Sequence, residues 1–373
     1  MNVKKTVLDR YSEGAKEVQP ALCCPVDYDA GLLALLPKEI IEKDYGCGDP
    51  SRYVHAGDVV LDLGSGSGKI CYMAAQLVGP HGFVIGVDMN DDMLSLAGKY
   101  QAEMADKLGG QRVRFVKGHI QDLALDLRAL DDYLATHPVR THDDLHTLRV
   151  WEQQQRHERP LIADQSVDLV ISNCVLNLVA ESDKRQLVSE IHRVLKPGGR
   201  VAISDIVSDE AVPEQLKKNT ELWSGCISGA FQEQEFLQAF AAVGFQAVAY
   251  DKWDAKPWRV VDGIEFRSVT LTAVKVTGEA RLDGGHAVIY RGPFQSVTDN
   301  QGDVYPRGER IAVCARTFAF LTQGPMRDNF IGIAPSGARR SEPWSASPGT
   351  TRSVRDSKGA VHSGTACGAS KCC

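Results

Sequence analysis

Five strand-like apolar segments separated by helical stretches limit the fold of this chain more than any other feature. The segments are "VVLDLGSGSG", "GFVIGVDMN", "VRFVKGHI", "VDLVISN" and "GRVAISDI". The helical stretches between them cover residues 69–78, 91–108 and 183–195. Strands that alternate with helices at this spacing form βαβ units around a parallel sheet. The sequence therefore predicts an α/β fold with a Rossmann-like parallel sheet.

At 373 residues the whole chain is too long for one ordinary core, so we expect extensions around the sheet domain. The predicted segments are an N-terminal cap (1–55), the sheet domain (56–207), a region (208–278) that is mostly helical up to residue 263, a small β-rich C-terminal domain (279–334) and a tail (335–373). Strand-like alternation in the β-rich part already begins at "IEFRSVTLTAVKV". The tail is rich in Gly, Ser, Ala and Arg and nearly lacks bulky aliphatic residues, so we expect it to be disordered.

A polar insert at residues 124–160 interrupts the alternation, and we interpret it as a surface excursion between the third and fourth strands. His142 and His146 in this insert are four residues apart and could share a helix face as two metal ligands. A solvated helix is the favoured interpretation, because no third ligand is evident nearby.

Charge and hydropathy exclude several classes of protein. The formal net charge of −6 gives no electrostatic reason to expect nucleic acid or a membrane surface as partner. No apolar run approaches the roughly 20 residues of a membrane helix, and the N-terminus lacks the apolar core of a signal peptide. We therefore expect a soluble, monomeric cytoplasmic protein whose ten cysteines are reduced thiols.

The segment "LDLGSGSGK" places Asp62 just before three glycines, Gly64, Gly66 and Gly68. The dinucleotide-binding pattern G-x-G-x-x-G needs a further glycine where Lys69 stands. An acid next to such a loop suits a cofactor with a cationic end, such as S-adenosylmethionine (SAM). With "GVDMN", "KGHIQD" and "RVLKPGGRVAISD" in this order, the loop resembles the class I SAM-dependent methyltransferases. The alternative is a Rossmann-like sheet that binds another nucleotide.

The resemblance implies a SAM site in which Asp62 faces the cationic end and Asp88, at the end of the second strand, accepts hydrogen bonds from the ribose hydroxyls. Ile120 is expected near the adenine, and Tyr45 and Asn173 near the methionine end. The predicted cofactor residues are Tyr45, Asp62, Gly64, Ser65, Gly66, Gly68, Asp88, Met89, Ile120 and Asn173.

Cysteines are the side chains most clearly available for binding the methyl acceptor. The candidates are Cys174 after the fourth strand, Cys226, Cys47 and the pair Cys23 and Cys24. Structural zinc usually takes local pairs such as C-x₂-C, whereas widely separated thiols that converge would suit a soft, thiophilic centre supplied as substrate. Trivalent arsenic is such a centre, and its lone pair carries no proton for a base to remove.

The motifs "DYGCG", "LDLGSGSGKICY", "GVDMN", "VISNCVLNLV" and "LWSGCISGA", in this order, resemble the arsenite methyltransferase family. The resemblance extends from "RYSEGAK" to about residue 333. It implies that Cys47, Cys174 and Cys226 bind trivalent arsenic as the substrate. It also implies a further N-terminal cysteine, which is either Cys23 or Cys24.

The family resemblance implies methylation of arsenite to mono- and dimethylated arsenicals, with a trimethyl product left open, as arsenic detoxification. Each transfer would leave pentavalent arsenic, which two thiols can reduce by forming a disulfide. Cys23 or Cys24 could form this disulfide with Cys47, and glutathione or thioredoxin would reduce it back to two thiols.

Two alternative functions remain open on sequence alone. The first is a SAM-dependent methyltransferase of a quinone or sterol-like molecule, and the second is a non-enzymatic thiol protein that sequesters metalloids. The other cysteines receive structural interpretations: Cys71 packs its helix on the sheet, and Cys314 is a core residue of a strand. Cys367, Cys372 and Cys373 lie in the tail, where metal binding or thiol reactions without an essential role are expected.

Overall fold

The computed structural model describes residues 3–19, 26–276, 281–335 and 342–358. The chain forms two compact units, residues 1–275 and residues 276–373. No helix of the described residues is long and apolar enough to cross a membrane.

A nine-stranded sheet forms the centre of the first unit. Its strands are β1 Val59–Leu63, β2 Phe83–Asp88, β3 Val113–Lys117, β4 Val167–Asn173, β5 Leu195–Ser208, β6 Phe231–Gln232, β7 Phe245–Trp253, β8 Arg259–Val261 and β9 Ile264–Lys275. The main order is β3-β2-β1-β4-β5-β9-β7, with β6 paired to β5 and β8 to β9. Strands β1 to β5 are parallel, as predicted, whereas β9 runs antiparallel to both β5 and β7. The Rossmann-like fold is thus confirmed, with a mixed rather than a purely parallel sheet.

Helices surround this sheet. They are α1 Val3–Lys16, α2 Ala30–Ala34, α3 Lys38–Glu42, α4 Lys69–Val78, α5 Asp91–Lys99, α6 Gln101–Leu108, α7 Leu127–Thr136, α8 His142–Glu158, α9 Lys184–Val194, α10 Glu214–Lys217, α11 Thr220–Ser224 and α12 Glu233–Val243. Successive residues Val60 and Leu61 of β1 are both fully buried but belong to different apolar clusters, one with α4 and one with α9. Both faces of the sheet are therefore covered, which explains why its strands are continuous apolar runs.

The insert between β3 and β4 is a surface excursion, as predicted. It consists of α7, in which only Leu127 is buried, and α8, which buries no residue. His142 and His146 are exposed on α8 and belong to no group of metal-ligating side chains in the described ranges. Both histidines therefore lie on a helix face that is open to solvent.

The region after β5 is less helical than predicted. Only the short helices α10 and α11 and the longer α12 form there. Residues 245–253 form a strand because β9 offers them an antiparallel edge. The segment 264–275, which we expected in the β-rich C-terminal part, is β9 itself and pairs with β5 in the central sheet.

The second unit is a small β-rich domain, as predicted. Its elements are β10 Leu282–Asp283, β11 Ala287–Tyr290, β12 Ser296–Thr298, β13 Val304–Pro306, β14 Arg310–Ala312, α13 Ala315–Gln323, β15 Phe330–Ile333, β16 Glu342–Pro343 and α14 Val354–Lys358. Strand β11 lies between β14 and β15 and is antiparallel to both. Its residues Val288 and Tyr290 pack with Tyr305 and Ile311 in a separate apolar core.

Two predictions about the second unit are wrong in detail. Cys314 is fully buried, as expected of a core residue, but it caps α13 through its sulfur instead of lying in a strand. The tail is not disordered throughout, because β16 pairs with β10 and Arg310 donates a hydrogen bond to the Ser357 hydroxyl at 2.8 Å. Cys367, Cys372 and Cys373 lie outside the described residues.

Candidate active site

The glycine-rich loop joins β1 to α4 at the carboxyl edge of the sheet. Gly64 and Gly66 have φ angles of 68° and 51°, in the left-handed region that side chains disfavour. A Cβ atom on Gly64 would lie 2.4 Å from Val175 Cγ1. Gly68 (φ 85°) begins α4, and its Cβ would lie 2.8 Å from the Phe115 ring. These close contacts explain why the loop needs glycine.

A cleft of about 1140 Å³ opens above this loop. Nine of the ten predicted cofactor residues line it: Tyr45, Asp62, Gly64, Ser65, Gly66, Asp88, Met89, Ile120 and Asn173. Gly68 does not line the cleft, and its role is to let the loop pass Phe115. Helix α1 also contributes to the wall, with Lys4, Val7, Leu8 and Tyr11. The contribution of α1 to the cleft was not predicted, because nothing local in the sequence indicates which surface this helix covers.

Asp62 lies on β1 at the base of the cleft, with an exposed fraction of 2%. The Cys71 thiol, in the first turn of α4, donates a hydrogen bond to Asp62 Oδ2 at 3.2 Å. Burial raises the pKa of the Asp62 carboxyl to about 8, against the opposing effect of this hydrogen bond. Interpreting Cys71 as packing alone was therefore incomplete, since its thiol contacts a predicted cofactor residue.

Asp88 is the last residue of β2, and its carboxylate binds the backbone of the glycine-rich loop. Its Oδ2 accepts a hydrogen bond from the Gly66 N–H at 2.9 Å, and its Oδ1 accepts one from the Asn90 N–H at 2.9 Å. Burial raises the pKa of the Asp88 carboxyl, while these N–H donors lower it. The carboxylate thus fixes the loop and also faces the cleft.

The side chain of Asn173, at the end of β4, makes four hydrogen bonds to other groups of the protein. Its Oδ1 accepts hydrogen bonds from the N–H groups of Cys47 (2.9 Å) and Gly48 (3.0 Å). Its Nδ2 donates to the Gly48 carbonyl (2.8 Å) and the Tyr28 hydroxyl (3.2 Å). These four bonds use the hydrogen-bonding capacity of a side-chain amide. Asn173 lines the cleft, but its polar atoms position the segment that carries Cys47.

Lys69, where the dinucleotide pattern has glycine, belongs to a buried network that the sequence analysis also missed. Its Nζ lies 2.6 Å from Asp44 Oδ2 and 3.9 Å from the centre of the Tyr28 ring. The side chains of Lys69 and Asp44 are 5% and 9% exposed. The pair joins the start of α4 to the chain segment just before Cys47.

Three predicted arsenic ligands, Cys47, Cys174 and Cys226, come together as buried cysteines beside the cleft. The Cys226 thiol donates a hydrogen bond to the Cys174 carbonyl at 3.2 Å. Cys174 and Cys226 have φ angles of 64° and 62°, which is uncommon for residues other than glycine and is often found at functional sites. Cys23 and Cys24 lie outside the described residues.

Cys174 and Cys226 are held in the protonated thiol form. The hydrogen bond with Cys226 lowers the pKa of Cys174, but contact with Cys47 and burial outweigh it and raise that pKa well above the usual value. The pKa of Cys226 is also raised well above its usual value, first by Cys174 and then by burial. Both thiols therefore keep their protons near neutral pH.

Asp205 on β5 completes the cluster and was missed by the sequence analysis. One of its carboxylate oxygens and the sulfurs of Cys47 and Cys174 lie within 4.8 Å of one another. The carboxylate accepts hydrogen bonds from Leu176 N–H and Asn177 Nδ2, at 2.9 and 2.8 Å. Burial raises its pKa to about 7. The sequence does contain a signal for this residue, since Asp205 is an acid inside the apolar run "RVAISDIV".

Comparison with known proteins identifies a matching family model and several relatives. Residues 54–135 and 149–244 match a family described as "Methyltransferase domain", and residues 277–362 match a domain of unknown function. An arsenite methyltransferase of Aquipseudomonas alcaligenes is 31% identical over 83% of this chain and 84% of its own length. The human arsenite methyltransferase is 29% identical over 81% of this chain and 74% of its own length.

A solved structure shares the fold of this chain. It is an arsenic(III) S-adenosylmethionine methyltransferase from Chlamydomonas reinhardtii, with 28% identity and a TM-score of 0.57 over 87% of this chain and all of that one. The resemblance inferred from the thiol and glycine motifs is confirmed by these relatives. The chain belongs to the arsenite methyltransferase family.

Proposed function

We propose that this protein methylates trivalent arsenic, using SAM as the methyl donor and Cys47, Cys174 and Cys226 as the ligands of arsenic. The observation that carries the proposal is the convergence of these thiols, from three distant chain segments, beside the cleft that contains Asp62 and Asp88. Three soft sulfur ligands match the coordination that trivalent arsenic prefers.

Arsenic binding by these thiols needs no separate base. Arsenite carries three hydroxyl groups, and each S–H that replaces one gives its proton to the departing hydroxide, which leaves as water. Binding therefore yields three As–S bonds and three waters. The raised pKa values of Cys174 and Cys226 are compatible with this exchange because the protons leave with the oxygen ligands.

The cleft would orient the cofactor for transfer. SAM supplies an electrophilic methyl group on a sulfonium when bound. The acids at the strand ends suit it chemically: Asp62 faces the cationic part, and Asp88 is placed to accept hydrogen bonds from the ribose hydroxyls. Transfer to the arsenic lone pair needs no general acid, because the departing thioether is neutral. Holding both reactants together supplies much of the acceleration, with effective molarities of roughly 10⁵–10⁸ M in favourable cases.

A reduction step must follow each transfer, since the methylated product is pentavalent. Two thiols can supply the two electrons by forming a disulfide, and we assign this role to Cys47 with either Cys23 or Cys24. Glutathione or thioredoxin would then reduce the disulfide by thiol exchange. Repetition would give mono- and dimethylated arsenicals, with a trimethyl product as a further step. In this proposal the enzyme detoxifies arsenic in the cytoplasm.

The test is an assay with arsenite, SAM and glutathione, followed by chromatographic separation of arsenic species. We expect methylated arsenic from the wild type, almost none from Cys174→Ser, and wild-type amounts from the control Cys314→Ser, whose cysteine lies in the second unit. Full activity of Cys174→Ser would contradict the thiol site. A wild type that binds SAM but methylates no arsenic would instead favour the quinone or sterol alternative.

A further inference from the structure

The Asp205 carboxylate and two of the proposed arsenic ligands form a compact group of possible metal ligands. One Asp205 oxygen and the sulfurs of Cys47 and Cys174 lie within 4.8 Å of one another, and no other three Cys, His, Asp or Glu side chains are gathered in this way within the described residues. The exposed fractions of Asp205, Cys47 and Cys174 are 1%, 1% and 8%. Because a buried acid is costly, its place beside two sulfurs needs a reason.

The backbone of both cysteines is fixed by the ends of the central strands. The Cys174 N–H donates a hydrogen bond to the Ser204 carbonyl at 2.8 Å, which joins the end of β4 to β5. The Cys47 N–H donates to Asn173 Oδ1 at 2.9 Å, and the Cys47 carbonyl accepts a hydrogen bond from Ser268 Oγ at 2.5 Å. The two sulfurs therefore extend from backbone that the sheet holds in place.

The carboxylate of Asp205 is oriented by hydrogen bonds and keeps room for one more ligand. Its Oδ1 accepts from Asn177 Nδ2 and from the Ile206 N–H, both at 2.8 Å, whereas its Oδ2 accepts from the Leu176 N–H at 2.9 Å. A carboxylate oxygen has two lone-pair directions, so these contacts leave one direction at Oδ2 for a metal ion. Hydrogen bonds of this kind are typical of carboxylates that bind metals.

Two sulfurs and one oxygen are not the donor set that arsenic prefers. The Cys226 sulfur does not belong to the compact group, and its thiol donates to the Cys174 carbonyl at 3.2 Å. Zinc accepts sulfur and carboxylate ligands together, and in reactive sites three protein groups often hold it with the fourth position open. Mg²⁺ and Ca²⁺ prefer oxygen ligands throughout. The compact group therefore fits Zn²⁺, whereas arsenic needs Cys226 as well.

We propose that Cys47, Cys174 and Asp205 bind Zn²⁺, and that this ion inhibits the enzyme by occupying two of the sulfurs that arsenite needs. On binding, Zn²⁺ replaces the two thiol protons, which pass to the solvent. Zn²⁺ and arsenite then exclude each other, and the bound zinc has no lone pair to accept a methyl group. The inhibition rests on the proposed function, whereas the binding of Zn²⁺ does not.

The test is Zn²⁺ binding to the full-length, metal-depleted protein, measured by competition with a chromophoric chelator. We expect Asp205→Asn to weaken Zn²⁺ binding roughly 100-fold, since even groups that only orient a metal ligand contribute about 10–100-fold. Its arsenite affinity should fall far less, because no sulfur is lost. Cys226→Ser should show the reverse pattern, with weakened arsenite binding and wild-type Zn²⁺ affinity. Asp132→Asn, at an exposed position of α7, is the matched control.

Co²⁺ gives a second readout that does not depend on the stability of Asp205→Asn. Bound in place of Zn²⁺, it reports sulfur ligands through thiolate-to-cobalt charge-transfer absorption. We expect this absorption to be equal in the wild type and Cys226→Ser and to decrease in Cys174→Ser. Addition of arsenite to the wild type should abolish it.

Wild-type Zn²⁺ affinity in Asp205→Asn, or loss of Zn²⁺ binding in Cys226→Ser, would overturn the proposal, because sulfur alone would then hold the ion. Simultaneous binding of Zn²⁺ and arsenite would overturn the inhibitory role. If the wild type bound Zn²⁺ through these groups but methylated no arsenic in the absence of zinc, the proposed function would fail and the zinc site would stand. The two failures are therefore distinguishable.

Discussion

The side-chain amide of Asn173 holds the backbone of Cys47, with Asn173 Oδ1 2.9 Å from the Cys47 nitrogen. Asn173 directly precedes Cys174, so the end of β4 carries one proposed arsenic ligand and positions another. A Cβ on Gly46 would collide with the Asn173 amide, at 2.2 Å from Nδ2. The "YGCG" segment and the "SNC" segment are therefore matched in shape as well as in hydrogen bonding.

Replacing the amide tests this relationship. Asn173→Asp keeps an oxygen for the Cys47 N–H but places a second oxygen against the Gly48 carbonyl, where Nδ2 now donates. We expect a loss of about 1–3 kcal/mol in the free energy of unfolding, the usual cost of an unsatisfied buried group. Arsenite affinity should fall more than SAM affinity. Urea unfolding and binding measurements check this, with the exposed Asn300→Asp as control. Weakened SAM binding with normal arsenite binding would instead restore the cofactor role predicted from sequence.

The buried ion pair between Lys69 and Asp44 gives a second prediction. Lys69→Met leaves the Asp44 carboxylate in a buried position without its cation, which typically costs about 3–5 kcal/mol. The double variant Lys69→Met, Asp44→Asn removes both charges and should recover most of this loss. Urea unfolding of the two single variants and the double variant forms a closed cycle. Additive losses would show that the two side chains do not stabilise each other.

The raised pKa of Asp62, about 8, makes the stability of the cofactor-free protein depend on pH. In the unfolded chain this carboxyl loses its proton near its ordinary pKa of about 4. Between that pH and about 8 the folded protein binds the extra proton, so the contribution of Asp62 to stability decreases as pH rises. Asp62→Asn lacks this decrease. Its free energy of unfolding relative to wild type should therefore be higher at pH 8 than at pH 5. A pH-independent difference between the two proteins would contradict the raised pKa.

SAM binding should show the opposite trend, because the cationic end of SAM favours the carboxylate form of Asp62. In the wild type the affinity should increase as pH rises from 6 towards 9, and in Asp62→Asn it should be weak and nearly constant. Cys71→Ala removes the thiol that donates to Asp62 and should move the rise to higher pH, whereas Cys71→Ser should restore it. Calorimetric titration at several pH values measures this, and an unshifted profile in Cys71→Ala would argue against the role of the thiol.

The sequence was most informative where function depends on local spacing. The glycine loop, Asp62, Asp88 and Cys174 lie at strand ends, and Cys47 and Cys226 belong to short motifs that follow helices. Nearly all of them line the cleft or belong to the cluster. The packing of α1 along the cleft and the hydrogen bonds of Asn173 were not predictable, because they join residues far apart in the chain. Strand β7 was missed for a related reason: its extended form depends on pairing with β9.

The surface insert gives the last prediction, because its two ends are already adjacent. The Leu161 N–H donates to the Ala124 carbonyl at 3.1 Å, and the Ile162 N–H donates to the Leu123 carbonyl at 2.9 Å. A short glycine–serine linker in place of residues 128–158 can therefore close the gap while keeping the buried Leu127.

We expect this deletion to retain arsenic methylation and to lower stability only slightly. It removes two partly exposed ion pairs, Arg156–Asp122 and Asp131–Lys117, and exposed pairs contribute about 0–1 kcal/mol each. The point variant Arg156→Ala is the matched control, since it removes the pair with Asp122 and keeps the helices. Asp122 follows the cleft residues Ile120 and Gln121. If the deletion alone abolished SAM binding while Arg156→Ala did not, the insert helices would have to support the adenine end of the cleft.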